Sequence, residues 1–86
     1  MQYLFMYRSL TYAQQSAKQL ERAGITGTVT KMPRSAGSRG CAYGVLVSPK
    51  NHRRAEETLA ASGLSPEKVY IRAADGTVKE APGDLS

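Results

Sequence analysis

The sequence predicts a small α+β domain: a ferredoxin-like βαββαβ two-layer sandwich, with a four-stranded antiparallel sheet that carries two helices on one face. Segments typical of strands and helices follow one another in that order within about 70 residues, which is the split βαβ pattern. The chain has 86 residues, of which 41% are hydrophobic, so it has room for one core and no second domain. We expect the domain to span residues 1–72.

The first strand and the first helix are predicted at residues 2–7 and 11–23. The strand segment QYLFMY is aromatic and apolar and contains neither Gly nor Pro. The helix segment is rich in good helix formers, and its small and apolar side chains recur at spacings of three and four: Ala13, Ala17 and Leu20. Ser9 or Thr11 can cap its start, and Gly24 can adopt the left-handed conformation that ends a helix.

Two strands separated by an irregular loop follow this helix. The second strand is predicted at residues 25–31 and the third at residues 41–47, where Gly44 and the β-branched residues oppose a helix. Between them lies MPRSAGSRG, at residues 32–40, whose Pro, Gly and Ser content is typical of a loop.

The second helix is predicted at residues 52–61, with Asn51 as its cap and Gly63 closing it. A fourth strand follows at residues 67–72. We expect residues 73–86, which contain an Asp-Gly and a Pro-Gly step, to be either a short hairpin or disordered.

Right-handed crossovers place the first and third strands side by side at the sheet centre, with both helices on one face. Because side chains alternate along a strand, one set of them shares a face, and we expect this set on the open face: Tyr3, Phe5, Tyr7, Cys41, Tyr43 and Val45. An apolar open face usually meets a partner sheet, a second subunit or a ligand. A homodimer through this face is therefore one prediction.

Charge and composition limit the partners and the cellular location that we expect for this protein. Twelve Lys and Arg against seven Asp and Glu give a net charge of +5, which favours anionic partners. No apolar run approaches the roughly 20 residues that cross a bilayer, so we expect no membrane span. The first residues do not resemble a secretory leader, and a cytoplasmic location is the default expectation.

The only cysteine, Cys41, begins the third strand directly after the loop. A cysteine in this position is either a small buried hydrophobe or a reactive thiol. Nearby cations favour the nucleophilic thiolate, and Arg34 and Arg39 lie in the same loop. Gly40 permits close backbone approach to the thiol. We therefore take Cys41 as the candidate reactive residue and Arg34, Arg39, Gly40 and Tyr43 as candidate binding residues.

Several short motifs along residues 2–72 resemble those of one family of small domains: YLFMYRSLTYA, AGITG, MPR, GC and SGLSPEKVYI. The chain resembles the Se/S carrier protein-like family. The resemblance implies a carrier of sulfur or selenium, in which the Cys41 thiolate accepts a persulfide or selenide from a donor protein and passes it to an acceptor. Two features depart from the family pattern: Ala42 replaces the usual second glycine, and the loop before Cys41 is about one residue longer.

Two other functions remain open. RNA-recognition modules share this element order, and residues 39–46 match part of their third-strand signature, with Phe5 and Tyr43 available to stack on bases. Cys41, Gly44 and Leu46 do not fit that signature. The third candidate is a dimerising regulatory or ligand-binding module in which the cysteine is structural.

Conventional catalysis has no support in the sequence. The single histidine, His52, has no second metal ligand at a useful spacing, so we expect no metal site. No hydrolase triad, phosphate-binding loop or dinucleotide motif is present, and we expect no cofactor. A carrier or binding protein is favoured over a turnover enzyme.

Overall fold

The computed structural model describes residues 1–31 and 43–80, which form two α-helices and one antiparallel sheet. The elements are β1 (Gln2–Tyr7), α1 (Leu10–Arg22), β2 (Thr28–Lys31), β3 (Tyr43–Val47), α2 (His52–Ala61), β4 (Lys68–Arg72) and β5 (Val78–Glu80). The sheet order is β2-β3-β1-β4-β5, and every pairing is antiparallel. The predicted α+β class and the adjacency of the first and third strands are confirmed.

The prediction of a four-stranded sheet is wrong, because the described residues contain a fifth strand. β5 pairs with β4 through Tyr70↔Glu80 and Arg72↔Val78. The turn between them contains Gly76 at a φ of 93°, and the backbone N–H of Thr77 donates to the Asp75 carboxylate over 2.9 Å. The segment after residue 72 therefore begins as a hairpin, while residues 81–86 lie outside the described chain.

Both helices end in the same glycine-containing motif. Gly24 and Gly63 have φ values of 79° and 71°, as the sequence predicts. After each glycine, an apolar residue donates its backbone N–H back into the helix: Ile25 to the Leu20 carbonyl and Leu64 to that of Leu59, each over 2.8 Å. This pattern satisfies carbonyls at the helix end and turns an apolar side chain towards the core.

At the helix starts the two predicted caps differ. The Ser9 side chain accepts a hydrogen bond from the Thr11 backbone N–H over 3.1 Å, so Ser9 rather than Thr11 caps α1. Asn51 occupies the cap position of α2, but its side chain makes no capping hydrogen bond. A short 3-10 turn at Pro49–Asn51 leads into α2, and within it the Asn51 backbone N–H bonds to the Ser48 carbonyl.

The second strand starts later than predicted, at Thr28 rather than at residue 25. Ile25 belongs to the closing turn of α1 and is buried in the core. Gly27 then passes so close to β3 that a Cβ there would lie 2.9 Å from Val45 Cγ1 and 3.1 Å from Leu20 Cδ1. The link between α1 and β2 is therefore packed against the core instead of paired in the sheet.

The main core lies between the sheet and the two helices. It joins the odd-numbered residues of β1 and β3 to apolar residues of α1 and α2; its buried members include Phe5, Tyr7, Val45, Val47, Ala13, Leu20, Ala55 and Leu59. The prediction that Tyr3, Phe5, Tyr7, Tyr43 and Val45 lie on the open face is therefore wrong. Cys41, predicted on the same face, lies outside the described residues.

The helices cover this set of side chains because it offers more apolar surface than the even-numbered set, and burying apolar area favours folding. The opposite face, on which neither α1 nor α2 packs and which we call the helix-free face, carries a smaller cluster. Leu4 and Tyr70 are buried there, and Met6, Leu46 and Val78 are partly buried beside them. Neither α1 nor α2, the α-helices within the described ranges, is long and apolar enough to cross a bilayer.

Candidate functional site

Four of the five predicted site residues, Cys41, Arg34, Arg39 and Gly40, lie in residues 32–42, outside the described chain. The fifth, Tyr43, is the first residue of β3. It lies opposite Tyr7 on β1 and opposite Lys31 on β2. We call these three residues the Tyr43 end of the sheet. Cys41 precedes Tyr43 by two residues in the sequence.

Tyr43 is half-buried and packs against the core beneath the helices. Its described contacts are those of a packing residue at the start of a strand. A binding role for Tyr43 remains a prediction.

Tyr7, at the same end of the sheet, is held by a polar contact. Its hydroxyl donates a hydrogen bond to the Leu64 carbonyl over 2.6 Å. Burial raises the pKa of Tyr7 to about 12, and the nearby Ser16 hydroxyl offsets part of that rise. Ser16 Oγ itself is buried and has no partner with hydrogen-bond geometry among the described residues. Tyr7 is therefore a neutral donor near pH 7 and is unsuited to act as a base.

Two cationic side chains near the Tyr43 end, those of Arg8 and Lys31, differ in whether they form an ion pair. Arg8, just after β1, forms an ion pair with Glu67 over 2.9 Å, and this exposed pair contributes little to stability. Lys31 is exposed, and within residues 1–31 and 43–80 it has no carboxylate partner. Sequence reasoning missed Lys31 as a candidate, because its position beside Tyr43 follows only from the β2–β3 register.

The ring of His52 packs against an aromatic side chain of β1. It stacks on Tyr3, with centroids 3.8 Å apart and an angle of 12° between planes. Nε2 of His52 lies 2.5 Å from Oε1 of Glu56, one helical turn later, without hydrogen-bond geometry. Across the described part of the chain, no group of three or more His, Cys, Asp and Glu side chains is arranged to hold a metal ion.

The base-stacking surface required by the RNA-recognition hypothesis is not formed by the expected residues. Phe5 has none of its surface exposed, and Tyr43 packs on the helix side of the sheet. The aromatic residue in the helix-free cluster is Tyr70, whose exposure is only 5%. Stacking on single-stranded bases needs exposed ring faces, so the geometry gives that hypothesis no support.

A comparison with known protein families finds a match over most of the chain. The model of the family described as Putative Se/S carrier protein-like matches residues 2–71. The chain belongs to this family. The match runs from β1 into β4, and it confirms the resemblance predicted from the sequence motifs. No curated protein and no solved structure shows significant similarity to the chain.

The Se/S carrier-like match includes Cys41, the only thiol of the chain. It excludes β5, which begins at Val78. The fifth strand lies outside the matched region and pairs with β4 in a hairpin.

Proposed function

We propose that this protein carries selenium or sulfur on the thiol of Cys41. The observation that carries the proposal is the family match over residues 2–71, because this region contains the single cysteine of the chain. A carrier of either element needs a nucleophile that can hold it reversibly, and a cysteine thiolate has that chemistry.

The proposed transfer step needs no cofactor. The Cys41 thiolate attacks the terminal sulfur of a persulfide on a donor protein, forming a new S–S bond. The S–S bond of the donor breaks, and its cysteine leaves as a thiolate. The terminal sulfur keeps its proton and oxidation level, so Cys41 becomes a persulfide with no net oxidation. Selenium transfer follows the same balance, with selenium in place of the terminal sulfur.

Positive charge supports this step. Arg34 and Arg39 lie within seven residues of Cys41 in the sequence, and the net charge of the chain is +5. Lys31 adds an exposed ammonium at the Tyr43 end of the sheet. Cations near a thiol stabilise its thiolate and hold an anionic persulfide. On this basis Arg34 and Arg39 are binding residues for the anionic adduct, while Gly40 permits close backbone approach to the thiol.

The same proposal implies partners and a cellular location for the carrier. Its partners are a donor and an acceptor protein, and a reducing cytoplasm suits a single free thiol. The order β2-β3-β1-β4 supports a ferredoxin-like arrangement of the matched region. A homodimer through the helix-free face remains a prediction, now with Leu4, Met6, Leu46, Tyr70 and Val78 as the apolar residues of that face.

Intact-mass measurement tests the carrier function. The protein is incubated with a cysteine desulfurase and cysteine, and in a parallel reaction with a selenocysteine lyase and selenocysteine. We expect a mass gain of one sulfur or one selenium atom that a thiol reductant removes and that peptide mapping places on Cys41. The relative yields of the two reactions identify the preferred cargo.

Cys41→Ser is the matched control, because it keeps the size of the side chain and removes only the nucleophile. It is expected to show no gain with either donor. A native protein that stays unmodified, while the urea-unfolded chain is modified at Cys41, would mean that the thiol is structural and would overturn the proposal.

A further inference from the structure

The helix-free face of the sheet holds a cavity of about 180 Å³. Its described lining comes from both outer regions of the sheet and from the central strands: Leu4, Thr30, Lys31, Leu46, Arg72, Gly76 and Val78. The space is below the range of drug-sized pockets, which begins at about 300 Å³. A single water needs about 10–15 Å³ of such space, so the cavity has room for a small organic molecule.

The lining divides into an apolar floor and a polar rim. Leu4 and Leu46 are directly opposite each other on β1 and β3, and Leu4 has only 1% of its surface exposed. Val78 continues the apolar surface from β5. At the rim, Thr30 offers a hydroxyl from β2, and Arg72 offers positive charge from the end of β4. Lys31 also lines the cavity, but it alternates with Thr30 and is opposite Tyr43, which packs on the helix side, so its ammonium is not a rim charge.

The charged residues among the described lining of the cavity are all positive. Among the described lining residues none is acidic, and neither Lys31 nor Arg72 forms an ion pair within the described chain. Two acidic residues belong to the same hairpin, and neither pairs with Arg72: Asp75, next to Gly76, accepts the Thr77 backbone N–H over 2.9 Å, and Glu80, opposite Tyr70, pairs with Lys68 over 3.8 Å. The guanidinium of Arg72 is therefore available to bind a ligand. Its planar N–H donors match the oxygen atoms of a carboxylate or phosphate group.

We infer that this cavity binds a small organic anion, with its carboxylate or phosphate group at Arg72 and a short apolar body over Leu4, Leu46 and Val78. The apolar floor contributes binding free energy, and the charged rim orients the anion. Gly76, which lacks a side chain, leaves the hairpin side of the cavity open to the ligand. Binding at this cavity does not require the carrier function.

The test is an NMR titration of isotope-labelled full-length protein with four probes: butyrate, monobutyl phosphate, inorganic phosphate and the neutral butyramide. We expect saturable shift changes at Leu4, Leu46 and Val78 with one or both organic anions. Which anion binds more tightly distinguishes a carboxylate from a phosphate ligand. Inorganic phosphate, which lacks the apolar body, and butyramide, which lacks the charge, should bind at least about tenfold more weakly.

Arg72→Gln should weaken binding of the preferred anion about tenfold, the loss expected for one charge-assisted hydrogen bond. Arg53→Gln is the matched control, because Arg53 is exposed on α2 and its loss changes the net charge equally. The comparison of the four probes on the wild-type protein keeps the inference testable if Arg72→Gln disturbs the hairpin. Equal weakening by Arg53→Gln, equal binding of butyramide, or shifts scattered over the surface instead of the cavity would overturn the inference.

Discussion

The phenol of Tyr7 donates a hydrogen bond to the main-chain carbonyl of Leu64 over 2.6 Å, across 57 residues of sequence. Tyr7 is the last residue of β1, and Leu64 is the apolar residue that follows the closing glycine of α2. One side chain thus fastens the Tyr43 end of the sheet to the end of the second helix. The contact is part-buried, so water competes weakly for it.

Removing this hydroxyl should destabilise the fold. Tyr7→Phe keeps the ring in the core but leaves the Leu64 carbonyl without its donor, and we expect the free energy of unfolding to fall by about 1–2 kcal/mol. Urea denaturation followed by circular dichroism measures the change. Tyr12→Phe is the control, because Tyr12 is 57% exposed and its hydroxyl should contribute almost nothing. Equal effects of the two substitutions would contradict the assigned role of Tyr7.

The same residue predicts how stability depends on alkaline pH. The pKa of Tyr7 rises from 10.0 in the unfolded chain to about 12 in the folded protein, because burial disfavours the phenolate. Between these values the unfolded chain releases the Tyr7 proton and the folded protein retains it, so the stabilising contribution is complete below pH 10 and is lost as pH rises to about 12.

Urea denaturation of the wild type and Tyr7→Phe across this pH range isolates the contribution, since all other titrating groups are common to both proteins. The difference in unfolding free energy between the two should shrink as pH rises. A constant difference from pH 10 to pH 12 would show that Tyr7 ionises equally in both states.

The close approach of Gly27 to β3 predicts a steric effect. In Gly27→Ala the new Cβ would stand 2.9 Å from Val45 Cγ1, so the core must shift, and we expect a loss of about 1–3 kcal/mol of stability. Adding Val45→Ala removes the opposing methyl groups. In this double-mutant cycle the cost of Gly27→Ala should become smaller in the Val45→Ala background. An unchanged cost would place the strain elsewhere.

The proposed carrier chemistry predicts a pH profile for thiol modification. If Arg34 and Arg39 stabilise the thiolate, the alkylation rate of Cys41 should have its inflection below the ordinary cysteine pKa of about 8.5. Arg39→Gln should move the inflection up by about half a unit, a modest shift because solvent screens loop charges. Arg53→Gln changes the net charge equally and should leave the profile in place. An inflection at or above the ordinary value in the wild type would contradict thiolate activation.

Most of the helices, strands and helix ends could be predicted from the sequence. Ser9 and the glycines at 24 and 63 mark helix ends because capping and positive φ depend on the residue itself and its close neighbours. The short strand β5 was not predicted as part of the sheet, since its three residues are too few to show a pattern. Its place depends on pairing with β4. For the candidate site, the sequence pointed to Cys41 and its loop, whereas Lys31 beside Tyr43 required the register of β2 and β3.

By itself, the sequence determined the α+β class, the family resemblance and the two alternating sets of side chains along each central strand. Only the tertiary structure decided which set faces the helices. Alternation with a period of two assigns the side chains of a strand to two faces, but it does not show which face is buried. Whether the face of Phe5 or that of Leu4 is covered is decided only when a helix packs on one side. Covering the set that contains Phe5 and Val45 buried the larger apolar surface, and it left the helix-free face with its small cavity and positively charged rim.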